Sequence, residues 1–101
     1  MADLRKEIED KVKSKQAFIF MKGTPAFPMC GFSARTIEVL KEAKADFDYV
    51  NILENPDMWE ELKKYTSWPT SPQVFIKGEF IGGCDITVEM FESGELQKML
   101  Q

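Results

Sequence analysis

Residues 17–21 read Ala-Phe-Ile-Phe-Met, five apolar side chains without alternation, with charged residues before them and Gly23-Thr24-Pro25 shortly after. A strand with one wet face alternates apolar and polar residues, so a short continuous run marks a strand buried on both faces. We read it as the central, parallel strand of a sheet that needs helices on either side. The rest of the chain offers them. Leu4, Ile8 and Val12 recur at helical spacing in "MADLRKEIEDKVKSKQ". Thr36, Val39, Leu40 and Ala43 follow the i, i+3, i+4, i+7 pattern and predict a helix that begins near Gly31 and ends by Asp46. Asn55-Pro56 supplies an N-cap and a first-turn proline for a helix with Met58, Leu62 and Tyr65 inward, ending before "SWPTSP".

"FDYVNI" reads as a second strand, and "QVFIK" and "FIG" form a hairpin about Gly78-Glu79. Asp85 is placed to cap a helix carrying Ile86, Met90 and Phe91, which Gly94 interrupts before a last turn with Leu96, Met99 and Leu100. The order helix, strand, helix, strand, helix, strand, strand, helix puts a parallel pair and a hairpin in one sheet. The expectation is an α/β, thioredoxin-like fold: a single four-stranded mixed sheet with helices on both faces. At 101 residues, 44% hydrophobic and 12% aromatic, the chain fits one domain over 1–101 with one real core.

Composition removes several functions. Thirteen Lys and Arg against 17 Asp and Glu give a net charge of −4 with no long block of either sign, which disfavours nucleic acid as a partner. No apolar run approaches the roughly 20 residues that span a bilayer, so no membrane association is expected. The N-terminus is neither a signal peptide nor an Arg/Ser-rich transit sequence, which points to the cytoplasm, or to an organelle matrix if a presequence has been removed. There is no histidine, which excludes Ser-His and Cys-His hydrolases and histidine metal sites. Two cysteines are too few for a disulfide-stapled fold or for a four-cysteine metal site within one chain.

Cys30 stands at the start of the predicted second helix, facing unsatisfied N–H groups and the positive end of the macrodipole, both of which favour thiolate. Lys22, across the loop, adds a positive charge beside the sulfur. Free cysteine is also among the most buried residue types, and Cys30 alone is compatible with a structural role. The surrounding Gly23, Pro25, Pro28 and Gly31 favour an exposed loop instead. Three residues on stands Ser33, whose hydroxyl cannot resolve a mixed disulfide as a second thiol does; resolution falls to an external thiol or to Cys84. Cys84 lies in "GGCD", where Gly82 and Gly83 permit close backbone approach by a ligand or another chain, or mark an ordinary hairpin exit. In Thr70-Ser71-Pro72, a cis peptide before Pro72 would turn the Ser71 backbone outward to pair with an extended peptide. Together these features outline a groove for a small thiol peptide, with glutathione the obvious candidate.

The segments "MKGTPAFPMCGFS" (21–33), "WPTSPQ" (68–73) and "GEFIGGCD" (78–85) closely resemble the CGFS-type monothiol glutaredoxins, a likeness that covers nearly the whole chain. The resemblance implies a thioredoxin fold with cis-Pro72 and a glutathione site in which Lys22, the Ser71 backbone, Cys84 and Asp85 contact the ligand, with Phe32 beside the thiol. Where many members carry a basic residue, usually arginine, this chain has Trp59, so a guanidinium clamp on the glycyl carboxylate is missing and Lys63, one turn on, is the expected substitute. The family also implies a 2Fe-2S cluster. Such a cluster needs about four thiolates, and two Cys30 with two glutathione thiols supply them, giving a homodimer bridged by the cluster. BolA-type proteins and cluster-accepting apoproteins are the partners that the resemblance suggests.

Two functions follow. One is a cluster carrier that acts by ligand exchange. The other is a glutathione-dependent thiol-disulfide oxidoreductase, weak at most, in which the Cys30 thiolate takes glutathione from a mixed disulfide and a second glutathione regenerates it.

Overall fold

The computed structural model describes residues 3–101. Its elements are α1 (Leu4–Val12), β1 (Ala17–Met21), α2 (Gly31–Glu42), β2 (Phe47–Asn51), α3 (Pro56–Thr66), β3 (Gln73–Ile76), β4 (Glu79–Gly82), α4 (Cys84–Ser93) and α5 (Glu95–Leu100). They form one sheet in the order β2-β1-β3-β4. β1 runs parallel to β2, with Ala17 opposite Phe47 and Met21 opposite Asn51, and antiparallel to β3, with Phe20 opposite Gln73. This is the thioredoxin-like fold, a four-stranded mixed sheet with helices on both faces.

All five residues of β1 are buried, because successive side chains point to opposite faces and both faces are covered. Ala17, Ile19 and Met21 pack with Leu40, Val74, Ile76 and Leu96 beneath α2, α4 and α5. Phe18 and Phe20 pack on the other face with Ile8, Val12, Met58, Leu62 and Phe75 beneath α1 and α3. Phe20 meets Phe75 edge-on, ring centres 5.8 Å apart. Among the described residues, no helix is long and apolar enough to cross a membrane.

Three local expectations are corrected. The hairpin turn is Lys77-Gly78, one residue earlier than Gly78-Glu79; both residues have positive φ, 52° and 85°, as a two-residue turn matched to strand twist requires. Asp85 lies inside the first turn of α4, whose N-cap is Gly83, so it caps nothing with its side chain. Asn55 does occupy the N-cap position of α3, but its Nδ2 donates to the Asn51 carbonyl at 2.9 Å instead of closing a capping bond.

The end of the sheet where β1 begins is tied shut. Lys77 N–H donates to Gln16 O at 2.8 Å, Asp46 N–H donates to Gln16 Oε1 at 2.8 Å, and Gln16 Nε2 donates to Leu100 O. The Lys77 ammonium donates to Gln101 O.

Candidate functional site

At the opposite end, where β1 finishes, the chain turns through a tight loop before entering α2. Gly23 has φ +88°, and a Cβ there would lie 2.5 Å from Phe27 O, so the turn admits only glycine without distortion. Met29 N–H donates to Lys22 O at 3.0 Å, and Thr24 and Phe27 exchange backbone hydrogen bonds at 3.2 and 3.0 Å. The buried Asn51 side chain clips this loop to the end of β2: its Oδ1 accepts from Gly23 N–H and Leu53 N–H, each at 3.0 Å. The loop leaves Phe27, Met29 and, at the head of α2, Phe32 exposed by 79%, 69% and 62%, an apolar rim around the thiol.

Cys30 is the N-cap residue of α2, with extended backbone (φ −153°) and a partly exposed side chain. The Ser33 amide holds its thiol below the ordinary value, helped by the Phe32 amide, the charge of Lys22 and the Ser33 hydroxyl, while partial burial pushes the other way. No regular capping hydrogen bond is closed. Ser33 itself is fully buried, and its hydroxyl accepts from Lys22 N–H at 3.3 Å. The residue standing where a second thiol is found in dithiol motifs therefore fastens the end of β1 to the first turn of α2.

Beside Cys30 opens a cleft of about 600 Å³. Lys22, Cys30 and Phe32 line one side, and Ser71 and Pro72, joined by a cis peptide bond, line another. Cys84 and Asp85 reach it from the first turn of α4, with Cys84 buried and Asp85 exposed. Trp59 and Trp68 also line it. Lys63 does not join them: its ammonium sits on the Glu60 carboxylate at 2.8 Å and 5.1 Å from the centre of the Trp59 ring. The glycine pair before Cys84 is approached by this chain's own atoms. A Cβ on Gly82 would lie 2.6 Å from Ile86 Cδ1, and one on Gly83 3.2 Å from Pro72 O.

The glutaredoxin family model matches residues 17–81. A probable monothiol glutaredoxin 2 from Rickettsia felis is 47% identical over 94 residues, 93% of this chain and 90% of the relative. The chain belongs to the monothiol glutaredoxin family. The solution structure of reduced apo GrxS14 from poplar superposes on this glutaredoxin with a TM-score of 0.84 at 52% identity, covering 96% of this chain and 89% of that one. A buckwheat glutaredoxin solved as a glutathione complex superposes with a TM-score of 0.83 at 28% identity, covering 96% and 86%.

Sequence reasoning missed the residue that shapes one wall of this glutaredoxin's cleft. Gln73 is fully buried; its Nε2 donates to Trp68 O at 2.8 Å and Thr70 O at 3.2 Å, and its Oε1 accepts from Thr66 Oγ1 at 2.8 Å. It braces the segment that presents Ser71 and Pro72. Its only signal in the sequence is a lone polar residue heading an apolar strand, where a buried amide must find partners.

Proposed function

We propose that this glutaredoxin binds glutathione in the cleft beside Cys30 and carries a 2Fe-2S cluster as cargo, held by Cys30 and a glutathione thiol from each of two chains. One observation carries the reading: Cys30 is a partly exposed thiol with a lowered pKa, while Cys84 is buried and Ser33 is spent on a structural hydrogen bond. Among the described residues, no group of three or more Cys, Asp or Glu side chains is gathered to hold a metal ion. With about four thiolates needed, the ligands that one chain lacks come from a second chain and from glutathione. The likeness to a glutaredoxin solved with glutathione supports the cleft as the ligand's seat. In this reading Lys22, Phe32, Ser71, Pro72, Cys84 and Asp85 seat the tripeptide. The family resemblance supports BolA-type proteins and cluster-accepting apoproteins as partners.

Anaerobic purification followed by visible absorption, iron and acid-labile sulfide assays tests the proposal. A coloured dimer with one glutathione per chain is expected; colourless, iron-free monomer from cells replete in iron refutes it.

The lowered thiol pKa also favours a second activity at the same sulfur. The Cys30 thiolate attacks the glutathionyl sulfur of a protein mixed disulfide and the protein thiolate leaves. A second glutathione thiolate then attacks the Cys30 adduct, releasing glutathione disulfide and restoring Cys30. Ser33 offers no faster internal route, so turnover is slow.

A further inference from the structure

Lys22 is fastened beside Cys30 from both sides. Its carbonyl accepts from Met29 N–H at 3.0 Å and its own N–H donates to the Ser33 hydroxyl at 3.3 Å, so the residue before the thiol and the residue three positions after it are both tied to the Lys22 backbone. Its charge reaches the Cys30 sulfur. The side chain is exposed and lines the same cleft as Cys30. Lys6, Lys15 and Lys63 each face a carboxylate, whereas the Lys22 ammonium has none within ion-pair distance among the described residues, Asp85 of the same cleft included. A partly exposed sulfur nucleophile therefore stands next to an unpaired amine, and disulfide exchange at that sulfur makes no use of an amine.

A thiol held beside an amine is suited to acyl transfer from sulfur to nitrogen. We propose that Cys30 takes acyl groups from thioesters of thiol peptides and passes them to Lys22, which makes Lys22 a self-acylation site. This rests on the glutathione reading above and deepens it by naming S-acyl glutathione as a second substrate class. The Cys30 thiolate attacks the thioester carbonyl carbon, the glutathione thiolate leaves, and a thioester forms on Cys30. The Lys22 amine, having given one proton to solvent, attacks that carbonyl carbon; the carbon–sulfur bond breaks, Cys30 departs as thiolate, and the nitrogen sheds a second proton as the amide forms. Neither step oxidises or reduces anything. The second step is intramolecular, so proximity offsets the scarcity of neutral amine. The amide outlasts the thioester, and the cleft then lacks the only cation among its lining residues.

Incubating the reduced full chain with S-acetylglutathione and mapping the acetyl groups by tandem mass spectrometry tests the proposal. Acetyl should appear first on Cys30 and then accumulate on Lys22 to about tenfold or more above Lys41 and Lys98, exposed lysines near the far end of α2 and on α5. Cys30→Ser should lower Lys22 to the level of those two. In Lys22→Arg, whose guanidinium stays protonated, the Cys30 thioester should outlast the parent's by about tenfold or more. Acetylation of Lys22 that is undiminished in Cys30→Ser, or no richer than at Lys41 and Lys98, overturns the proposal, as does a Cys30 thioester whose lifetime Lys22→Arg leaves unchanged. Calorimetry with glutathione separates the two readings. Glutathione binding without Cys30-dependent acetylation of Lys22 sinks this inference alone, and the absence of both sinks the glutathione reading with it.

Discussion

Gln73→Leu removes a buried carboxamide and fills its space with an apolar side chain of similar size, so the loss is one of hydrogen bonding alone. Three bonds disappear, but they are unequal. The Thr66 hydroxyl keeps an acceptor in Leu62 O at 3.1 Å, so that bond is replaced. Trp68 O and Thr70 O lose their donor, and both belong to exposed residues that water can reach in part. At about 1 kcal/mol per bond, the expected cost is about 2 kcal/mol, below the roughly 3 kcal/mol of a naive count. For a domain of this size that lowers Tm by about 8–16 °C. Thermal unfolding of the reduced protein by circular dichroism measures it. Because the freed segment carries Ser71 and Pro72, saturating glutathione should also raise the variant's Tm less than it raises the parent's. Thr66→Val, which removes only the replaceable bond, should cost less than about 1 kcal/mol. A Gln73→Leu protein within about 2 °C of the parent, with an undiminished glutathione response, would show that the segment needs no brace.

Cys30→Ser should abolish cluster binding and leave Tm unchanged within about 2 °C, since no core volume changes; a full cluster in this variant, read by absorption and iron content, places the ligands elsewhere. Stripping glutathione from loaded protein should bleach it, and Cys84→Ser should keep its colour; the reverse pattern makes Cys84 a ligand. Alkylation of Cys30 by iodoacetamide should persist to lower pH than in a denatured control, and Lys22→Gln should shift the profile upward only in part, because the Ser33 and Phe32 amides remain; a profile matching the control refutes the lowered pKa. The same shift has a signed stability consequence. The folded-state value lies below the unfolded one, so the thiolate adds stability above the ordinary thiol pKa and that increment is lost as pH falls through the lowered value. Denaturant titrations of the parent and Cys30→Ser should therefore diverge on the alkaline side and converge on the acidic side.

Strand β1 was legible because burial on both faces leaves an unbroken apolar run, and α2 and α3 because their inward residues keep helical spacing. The Lys77-Gly78 turn was displaced in the sequence reading because Lys77 adopts a positive φ that its residue type does not advertise. Asp85 resembles a cap because an acidic residue suits the first turn of a helix as well as its N-cap position. In the site, Cys30, Lys22, Ser71, Pro72 and Cys84 were visible among glycine and proline punctuation that marks loops. Gln73 and Asn51 were not, since a polar residue at a strand end does not show in the sequence that it is buried or which groups of the adjoining loops its amide meets. Lys63, the expected substitute for the missing guanidinium, stands three residues after Glu60 on the same helix, a spacing at which the two side chains pair.

The knot of bonds joining Gln16, Lys77, Leu100 and Gln101 sits at the opposite end of the strands from Cys30. A polypeptide appended after Gln101 leaves beside the Lys77 turn, with the length of the sheet between it and the thiol. That geometry makes the C-terminal side a handle. A fused module, a fluorophore or a surface linkage attached there leaves the approach to the cleft unobstructed, so tethered forms suit single-molecule measurements of binding at Cys30.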